Sequence, residues 1–149
     1  MKFLTVLTIL FLHVHIVNAN TEDMEHIRTN YAKAVSDKKL CKAMIEELRT
    51  KTGNPVHLAY LGALKVVWAR HIINPIAKFS TFNKGKKDIE NAVKEAHNNV
   101  EIRFIRLSVQ KNCPSFLGYN AHIAQDKQFI RDNENKITSA RLKKMIAEL

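Results

Sequence analysis

The segment "VEIRFIRLSVQKN", residues 100–112, decides whether the fold contains a sheet, because its charged and apolar residues first alternate like those of a strand. In a strand, side chains two residues apart share a face, so Leu107 and Val109 would lie beside Arg103. In a helix, the apolar residues cover one continuous arc and the polar ones a narrow stripe. No other run alternates long enough to make a convincing strand. The sequence therefore predicts an all-α fold.

The helix predicted for this segment starts at Asn98 and carries one polar stripe. Glu101, three residues after Asn98, completes the pattern of a capping box at the helix start. At about 100° per residue, Arg103, Arg106 and Gln110 then fall within one narrow arc. Because the rest of the helix is apolar, this stripe is the best candidate for a binding site.

Two interpretations of the arginine stripe remain open. In the first, Arg103 and Arg106 line a groove together with Tyr119, and their guanidinium groups bind a carboxylate, a phosphate or the acidic end of a peptide. In the second, the arginines form salt bridges inside the fold with Asp126 or Asp132 of the next helix. The second is favoured, since charges on mostly buried helices are usually paired within the fold.

Proline and glycine residues punctuate the rest of the chain in a helical pattern. Asn54-Pro55 and Asn74-Pro75 each place a capping side chain before a proline, which is typical of a first helical turn. Between them, residues 56–72 are apolar nearly all round and are expected at the centre of the packing. We expect about six or seven helices arranged as antiparallel pairs.

The charged run "NKGKKDIENAV", residues 83–93, is interpreted as the solvent-facing side of a helix and not as a phosphate loop. A phosphate loop needs a glycine five residues before the Gly-Lys pair and a serine or threonine after it, and this run has neither. Gly85 lies in the apolar stripe of the helix, which indicates that another helix backbone passes close by. The charged residues outside that stripe are expected to pair one turn apart: Lys84 with Asp88, Lys86 with Glu90, and Glu90 with Lys94.

The first residues, 1–19, are typical of a secretory signal peptide. A short positive start, an apolar core and small residues at Val17 and Ala19 follow one another in the order of such a signal. His13 interrupts the apolar run before it reaches the roughly 20 residues that a membrane span needs. We therefore expect a periplasmic or secreted protein, with a single helical domain over residues 20–149.

The charge and the cysteines fit an exported protein. The net charge is +10, but the basic residues are spread along the chain. Outside the cytoplasm, the common anions are membrane lipids, envelope polysaccharides and acidic proteins, so a nucleic-acid partner is not expected. Cys41 and Cys113 are the only cysteines, and an oxidising compartment permits a disulfide between them. Sequence spacing leaves both a disulfide and two free thiols open.

The sequence contains no motif for metal binding or catalysis. Its histidines lack the His-Glu-x-x-His spacing and form no tight cluster with the cysteines, whereas a zinc site needs three or four converging ligands. No nucleophile-elbow glycine pattern surrounds a serine. We therefore expect no metal, no cofactor and no enzymatic activity.

Residues 56–110 resemble a tetratricopeptide-type repeat. Leu61-Gly62 resembles the paired large and small positions of the first helix of such a repeat, and Ala92-Val93 the end of its second helix. The order "YLGA", "EIRFIR", "PSFLGY" and "DKQFI" is also similar to small exported helical proteins of Gram-negative bacteria that have no assigned function. The first resemblance implies tetratricopeptide-like helix pairs that bind proteins, and the second implies export without a specific chemistry.

Together these features predict an exported, non-catalytic helical module for binding or scaffolding, whose partner is another protein or an acidic peptide. One alternative is a small ligand-binding protein or enzyme that uses the arginine-lined anion site. Another is a basic protein that binds anionic polymers of the cell envelope. An enclosed pocket at the arginines would favour a ligand or catalysis, and an open helix face would favour a protein partner.

Overall fold

Seven α-helices and two short 3₁₀ turns form the part of the chain that the computed structural model describes, namely the backbone of residues 15–149 and the side chains of residues 21–149. In chain order the helices are α1 (His15–Ala34), α2 (Lys38–Leu48), α3 (Pro55–Ala69), α4 (Pro75–Glu95), α5 (Val100–Lys111), α6 (Ile123–Asp132) and α7 (Ala140–Ala147). This part contains no strand, so the predictions of an all-α fold and of six or seven helices are confirmed. Residues 1–14 of the predicted signal peptide lie outside the described residues. None of the described helices combines the length and the apolar character that crossing a membrane requires.

Local sequence signals set the starts of the two central helices. The side chains of Asn54 and Asn74 accept hydrogen bonds from backbone N–H groups in the first turns of α3 and α4, at 2.8 and 3.0 Å. Pro55 and Pro75 follow as the first helical residues, where a missing N–H group costs nothing. Both predicted helix starts are confirmed.

The start of α5 differs from the prediction. The capping side chain is that of Asn99, which accepts from a backbone N–H group at 3.1 Å, so the helix begins at Val100 and not next to Asn98. The predicted capping box is wrong, because the Glu101 side chain turns into the protein and is only 7% exposed. It pairs there with Arg28, a stronger partner for a carboxylate than a backbone N–H group.

The backbones of α3 and α4 touch at two glycines. A Cβ atom on Gly62 would lie 2.6 Å from the carbonyl oxygen of Gly85, and a Cβ atom on Gly85 would lie 2.5 Å from that of Gly62. Since real Cβ atoms essentially never approach another atom within 3.0 Å, only glycine fits at either position. The prediction of a close helix backbone at Gly85 is confirmed.

One turn away, Asp88 pairs with Lys65 of α3 at 2.6 Å and not with its own neighbour Lys84.

Three pairs of consecutive helices run antiparallel, as predicted. In each pair, a later residue of the first helix meets an earlier residue of the second. The contacts that show this are Gly62–Ile89 and Val66–Gly85 for α3 and α4, Asp23–Lys51 and His26–Glu47 for α1 and α2, and Arg106–Asp126 and Gln110–His122 for α5 and α6. The apolar helix α3 lies in the middle and contacts α1, α2, α4 and α5.

Both cysteines are free thiols in the structure. Cys41 of α2 is fully buried, and its sulfur lies 3.5 Å from the carbonyl oxygen of Leu64 on α3. Burial raises the pKa of Cys41 to about 11. Cys113 follows α5 and is only partly buried. Of the two alternatives that the sequence leaves open, the structure has the two free thiols and no Cys41–Cys113 disulfide.

Candidate functional site

The arginine stripe of α5 lies against α6 in a buried ionic cluster. Arg106 donates through Nε and Nη2 to the two carboxylate oxygens of Asp126, at 2.7 and 2.8 Å, and Arg103 donates to the same carboxylate at 3.1 Å. The Asp126 side chain is fully buried, and the side chains of Arg103 and Arg106 are 12% and 3% exposed. The predicted internal pairing with Asp126 is confirmed. Asp132, the other candidate partner, accepts a hydrogen bond from Gln128 on its own helix.

Glu90 of α4 is the second carboxylate of this cluster. Its carboxylate accepts from Nη1 of Arg106 at 2.9 Å and from the hydroxyl of Tyr119 at 2.7 Å. Glu90 therefore ties α4 to α5 and to the segment before α6. The predicted pairing of Glu90 with Lys86 and Lys94 is absent from the ion pairs of the described residues. Lys86 lies instead over the ring of Tyr119, with its Nζ 5.1 Å from the ring centroid.

The charges of the cluster compensate one another, because two guanidinium groups face two carboxylates. Burial disfavours the charged form of Arg106, but the hydrogen bonds and negative charges of Asp126 and Glu90 outweigh it and raise the pKa of Arg106. Burial and the neighbouring Glu90 also raise the pKa of Tyr119 far above its ordinary value. All three nitrogen atoms of the Arg106 guanidinium donate to carboxylates of the same chain. The arrangement is that of a structural cluster and not of an open anion site.

Gln110 continues the stripe one turn beyond the cluster. Its side-chain oxygen accepts from the backbone N–H group of His122 at 3.2 Å, next to the start of α6. Its amide nitrogen is buried and has no hydrogen-bond partner among the described residues. The structure thus brings three of the four predicted site residues, Arg103, Arg106 and Tyr119, into one network, and Gln110 supports α6 separately.

A second buried ionic cluster, which the sequence did not reveal, holds the start of α5 against α1 and α3. Arg28 of α1 donates through Nε and Nη2 to the two carboxylate oxygens of Glu101, at 2.8 and 2.7 Å. The hydroxyl of Tyr60 on α3 donates to the same carboxylate at 2.8 Å. Glu25 accepts from the third nitrogen of Arg28 and from the hydroxyl of Ser139, each at 2.6 Å. This cluster therefore connects α1, α3, α5 and the segment before α7.

The pKa shifts in this second cluster follow from its contacts. The hydrogen bonds to Glu101 raise the pKa of Arg28 well above its ordinary value. Burial and the negative charge of Glu101 raise the pKa of Tyr60. The hydrogen bond from Ser139 lowers the pKa of Glu25. A carboxylate on a mostly apolar helix signals that a cation lies nearby, but Arg28 is 73 positions away and sequence spacing does not point to it.

A cleft of about 260 Å³ opens beside the second cluster, between the start of α5 and the segment before α7. Its lining includes Arg28, Glu101, Asn98, Asn99 and Lys136. All three guanidinium nitrogens of Arg28 already donate to carboxylates of this chain, so an incoming anion finds them occupied. The cleft is therefore a weak candidate for a binding site.

Metal-ligating side chains do not converge in the part of the chain that the structure describes. No group of three or more His, Cys, Asp or Glu residues there could hold an ion. The histidines make pairwise contacts instead, such as His57 with Asp23 at 3.4 Å and His26 with Glu47 at 3.9 Å. Two ligands do not complete a zinc site.

The exposed start of α4 is the strongest candidate for a binding surface. All side chains of residues 73–80 are exposed to solvent, and this segment is the α4 tip. Within it, Ile73, Ile76 and Phe79 are 96%, 82% and 56% exposed. Three of the five large apolar residues that are exposed in the described part of the chain therefore lie in this short segment. From Phe82 onward, α4 buries its apolar residues in the fold.

Basic residues precede and follow the α4 tip along the chain. The charged residues between positions 70 and 87 are all positive: Arg70, Lys78, Lys84, Lys86 and Lys87. At about 100° per residue, Ile76, Phe79, Asn83 and Lys87 fall on one face of α4, roughly opposite the side on which Gly85 meets α3. These residues help to line a wide, open groove of about 430 Å³. The start of α4 thus presents apolar side chains in the α4 tip and lysines farther along the same helix.

Compared with protein-family models, with curated proteins and with solved structures, the chain has no match. The resemblances to tetratricopeptide repeats and to small exported helical proteins therefore stay predictions.

Proposed function

We propose that this protein is an exported, non-catalytic helical module that binds an anionic partner through the α4 tip. The observation that carries the proposal is the exposure of Ile73, Ile76 and Phe79 on a helix end that the rest of the described chain leaves uncovered. Burying a large apolar side chain is worth about 1.5–3 kcal/mol. A group of such side chains exposed on one projection is a feature of interaction sites.

The engagement of the buried charges supports a binding module over an enzyme. The carboxylates of Asp126 and Glu101 each accept from a bidentate arginine of the same chain, Arg106 and Arg28 respectively. Groups held in this way contribute to folding, and every guanidinium nitrogen of Arg106 and Arg28 already donates to a carboxylate of this chain. This weakens the alternative of an anion site or active site at the arginine stripe.

The charge around the tip restricts the class of partner. Residues 70–87 carry five basic side chains and no carboxylate. An anionic partner gains favourable contacts with these side chains, and a cationic one is repelled. Since exposed charges are screened by salt, binding is expected to weaken as the ionic strength rises.

Site-specific photo-crosslinking in the native host tests the proposal. A photoreactive side chain introduced at Phe79 is expected to form adducts, because it replaces an exposed residue of the tip. The matched control is the same side chain at Thr52, which is also exposed but lies before α3, whereas the tip follows α3. The fifteen residues of α3 place the two positions about 22 Å apart along its axis.

The comparison of the two positions decides the outcome. Adducts at Phe79 that are absent at Thr52 and that decrease with added salt support the proposal. Adducts that form equally at both positions, or at neither, contradict it. Mass spectrometry then identifies the chemical class of the partner.

A further inference from the structure

We infer that the anionic partner of the α4 tip is a lipid membrane surface, into which the tip inserts end first. This inference rests on the proposed function and names its partner. It is carried by the exposure of the tip, by the hydrogen bonding at its end and by the position of its lysines.

The tip is exposed around its whole circumference. Every side chain of residues 73–80 is exposed, and the apolar ones include Ile73 in the connection before the helix as well as Ile76 and Phe79 within it. A groove in a protein partner contacts one face of a helix, at positions three and four residues apart. Ile76 and Phe79 have this spacing, but the still more exposed Ile73 precedes the helix and does not belong to that face. A lipid phase closes around a projection from all sides, and so covers apolar groups that lie both on the helix and before it.

Two positions in the first turn of α4 need no hydrogen-bond acceptor from outside the protein. Helix starts normally leave several N–H groups without partners, and an unpaired polar group is costly in lipid. Here Pro75 has no N–H group, and the N–H group of Ala77 donates to the side chain of Asn74 at 3.0 Å. The free-energy cost of placing this helix end in lipid is therefore lower than it would be with unpaired N–H groups at those two positions.

The lysines lie at a depth that suits lipid headgroups. Lys84 and Lys87 each follow an apolar residue of the tip, Ile76 and Phe79, by eight positions, or about 12 Å along the helix. Amphipathic segments at membrane surfaces bury their apolar groups about 5–10 Å below the headgroup boundary. With Ile76 and Phe79 at that depth, the two lysines reach the phosphate layer, where each adds about fivefold to the affinity for anionic lipid. Lys78, within the tip, has a long stem that can carry its ammonium group back to the same layer.

Charge also argues against a second copy of this chain as the occupant. Residues 70–87 carry five basic side chains and no carboxylate, so this segment of one copy repels the same segment of another. Their repulsion opposes association, whereas an anionic lipid surface attracts the same residues.

Vesicle binding by the protein purified from its native host tests this inference. The vesicles contain phosphatidylcholine alone, or phosphatidylcholine and phosphatidylglycerol in equal parts, and bound protein is measured by sedimentation. The parent protein is expected to bind the mixed vesicles and to leave the neutral ones largely free. The double variant Lys84→Gln/Lys87→Gln should bind the mixed vesicles about thirtyfold more weakly.

Two further variants separate insertion from simple charge attraction. Ile76→Gln/Phe79→Gln keeps the charge of the tip and is expected to lower vesicle binding by about tenfold or more. Lys94→Gln/Lys136→Gln removes the same charge from exposed positions outside residues 70–87 and should stay within about threefold of the parent. Because all six positions are exposed, the substitutions are expected to leave the helical circular dichroism signal unchanged.

The inference is overturned if the mixed vesicles are not bound. It is also overturned if the two lysine variants are equally weakened, or if Ile76→Gln/Phe79→Gln binds like the parent. A defined protein captured at Phe79 by photo-crosslinking, together with no vesicle binding, would leave the proposed function standing and would replace the lipid surface by that protein.

Discussion

Replacing Gly62 by alanine tests the backbone contact between α3 and α4. The added Cβ atom would lie 2.6 Å from the carbonyl oxygen of Gly85 and 2.9 Å from the backbone nitrogen of Ile89. Ordinary contact begins near 3.4 Å, so the two helices would have to separate by about 0.8 Å. A gap of that size forfeits roughly a quarter to a half of the dispersion energy of each contact across it.

The expected loss of stability follows from two opposing effects. Overpacking a well-packed interface costs about 1–3 kcal/mol, and the upper end applies here because backbone atoms receive the new methyl group. Alanine is better than glycine in a helix by about 1 kcal/mol, which offsets part of that cost. We therefore expect Gly62→Ala to lower the free energy of unfolding by about 2 kcal/mol, and the melting temperature by about 4–8 °C.

Urea unfolding followed by far-ultraviolet circular dichroism measures this loss. The matched control is Gly53→Ala, since a Cβ atom on Gly53 would have no atom within 4 Å. The control is expected to be neutral, or to gain up to about 1 kcal/mol, because alanine restricts the unfolded chain. Equal stabilities of Gly62→Ala and Gly53→Ala would refute the argument that the two helix backbones are in contact.

Three other predictions concern the buried ionisable groups. Asp126→Asn should lower the free energy of unfolding by about 3 kcal/mol because it removes the carboxylate that Arg103 and Arg106 share and leaves Arg106 only its ion pair with Glu90. Arg106→Met combined with Asp126→Leu should cost less than the two single changes added together, and strictly additive losses in urea unfolding would contradict the pairing. Glu101→Gln should cost about 2–3 kcal/mol at neutral pH because Arg28 loses a charged acceptor, and unchanged chemical denaturation would argue against that ion pair. Because burial raises the pKa of Cys41 from 9.0 to about 11, the unfolded chain releases this proton first, so stability should fall as the pH rises from about 9 to 11. Cys41→Ala should remove that part of the alkaline loss, which is at most about 3 kcal/mol, and identical pH profiles for the variant and the parent would exclude the thiol as its source.

Interactions between near neighbours in the sequence could be predicted. Asn54 and Asn74 cap the residues that follow them, so a short motif contains all the necessary information. Gly85 could be predicted as a contact point because a glycine in an apolar helical stripe leaves room only for a backbone. Its partner Gly62 was not identified, since the stripe gives the face of one helix but not the register of the other.

The partners of the charged residues were predicted less well. Glu90 has lysines one turn away on either side, but it binds Arg106 and Tyr119, which come from other parts of the chain. Glu101 fits a local capping motif but binds Arg28. In both cases a buried arginine or tyrosine binds the carboxylate more strongly than an exposed lysine or a backbone N–H group would. Which side chains are buried together depends on the tertiary fold.

The position of its apolar residues around the helix distinguishes the α4 tip in the sequence. Ile76 and Phe79 lie outside the apolar stripe that contains Gly85 and Ile89, so they could not face the same neighbour as the rest of the helix. Apolar residues off the stripe, combined with a segment free of carboxylates, distinguish the tip from an ordinary buried helix start.

The contact between Gly62 and Gly85 also affects the order of events during folding. The helices that it joins are separated by residues 70–74 alone, so little chain entropy is lost when they meet. The contact between Glu25 and Ser139, in contrast, closes a separation of 114 positions. We expect the α3–α4 hairpin to be formed in the transition state and the α1–α7 contact to follow it. Substitutions at the glycines should then slow refolding, and substitutions at Ser139 should mainly accelerate unfolding.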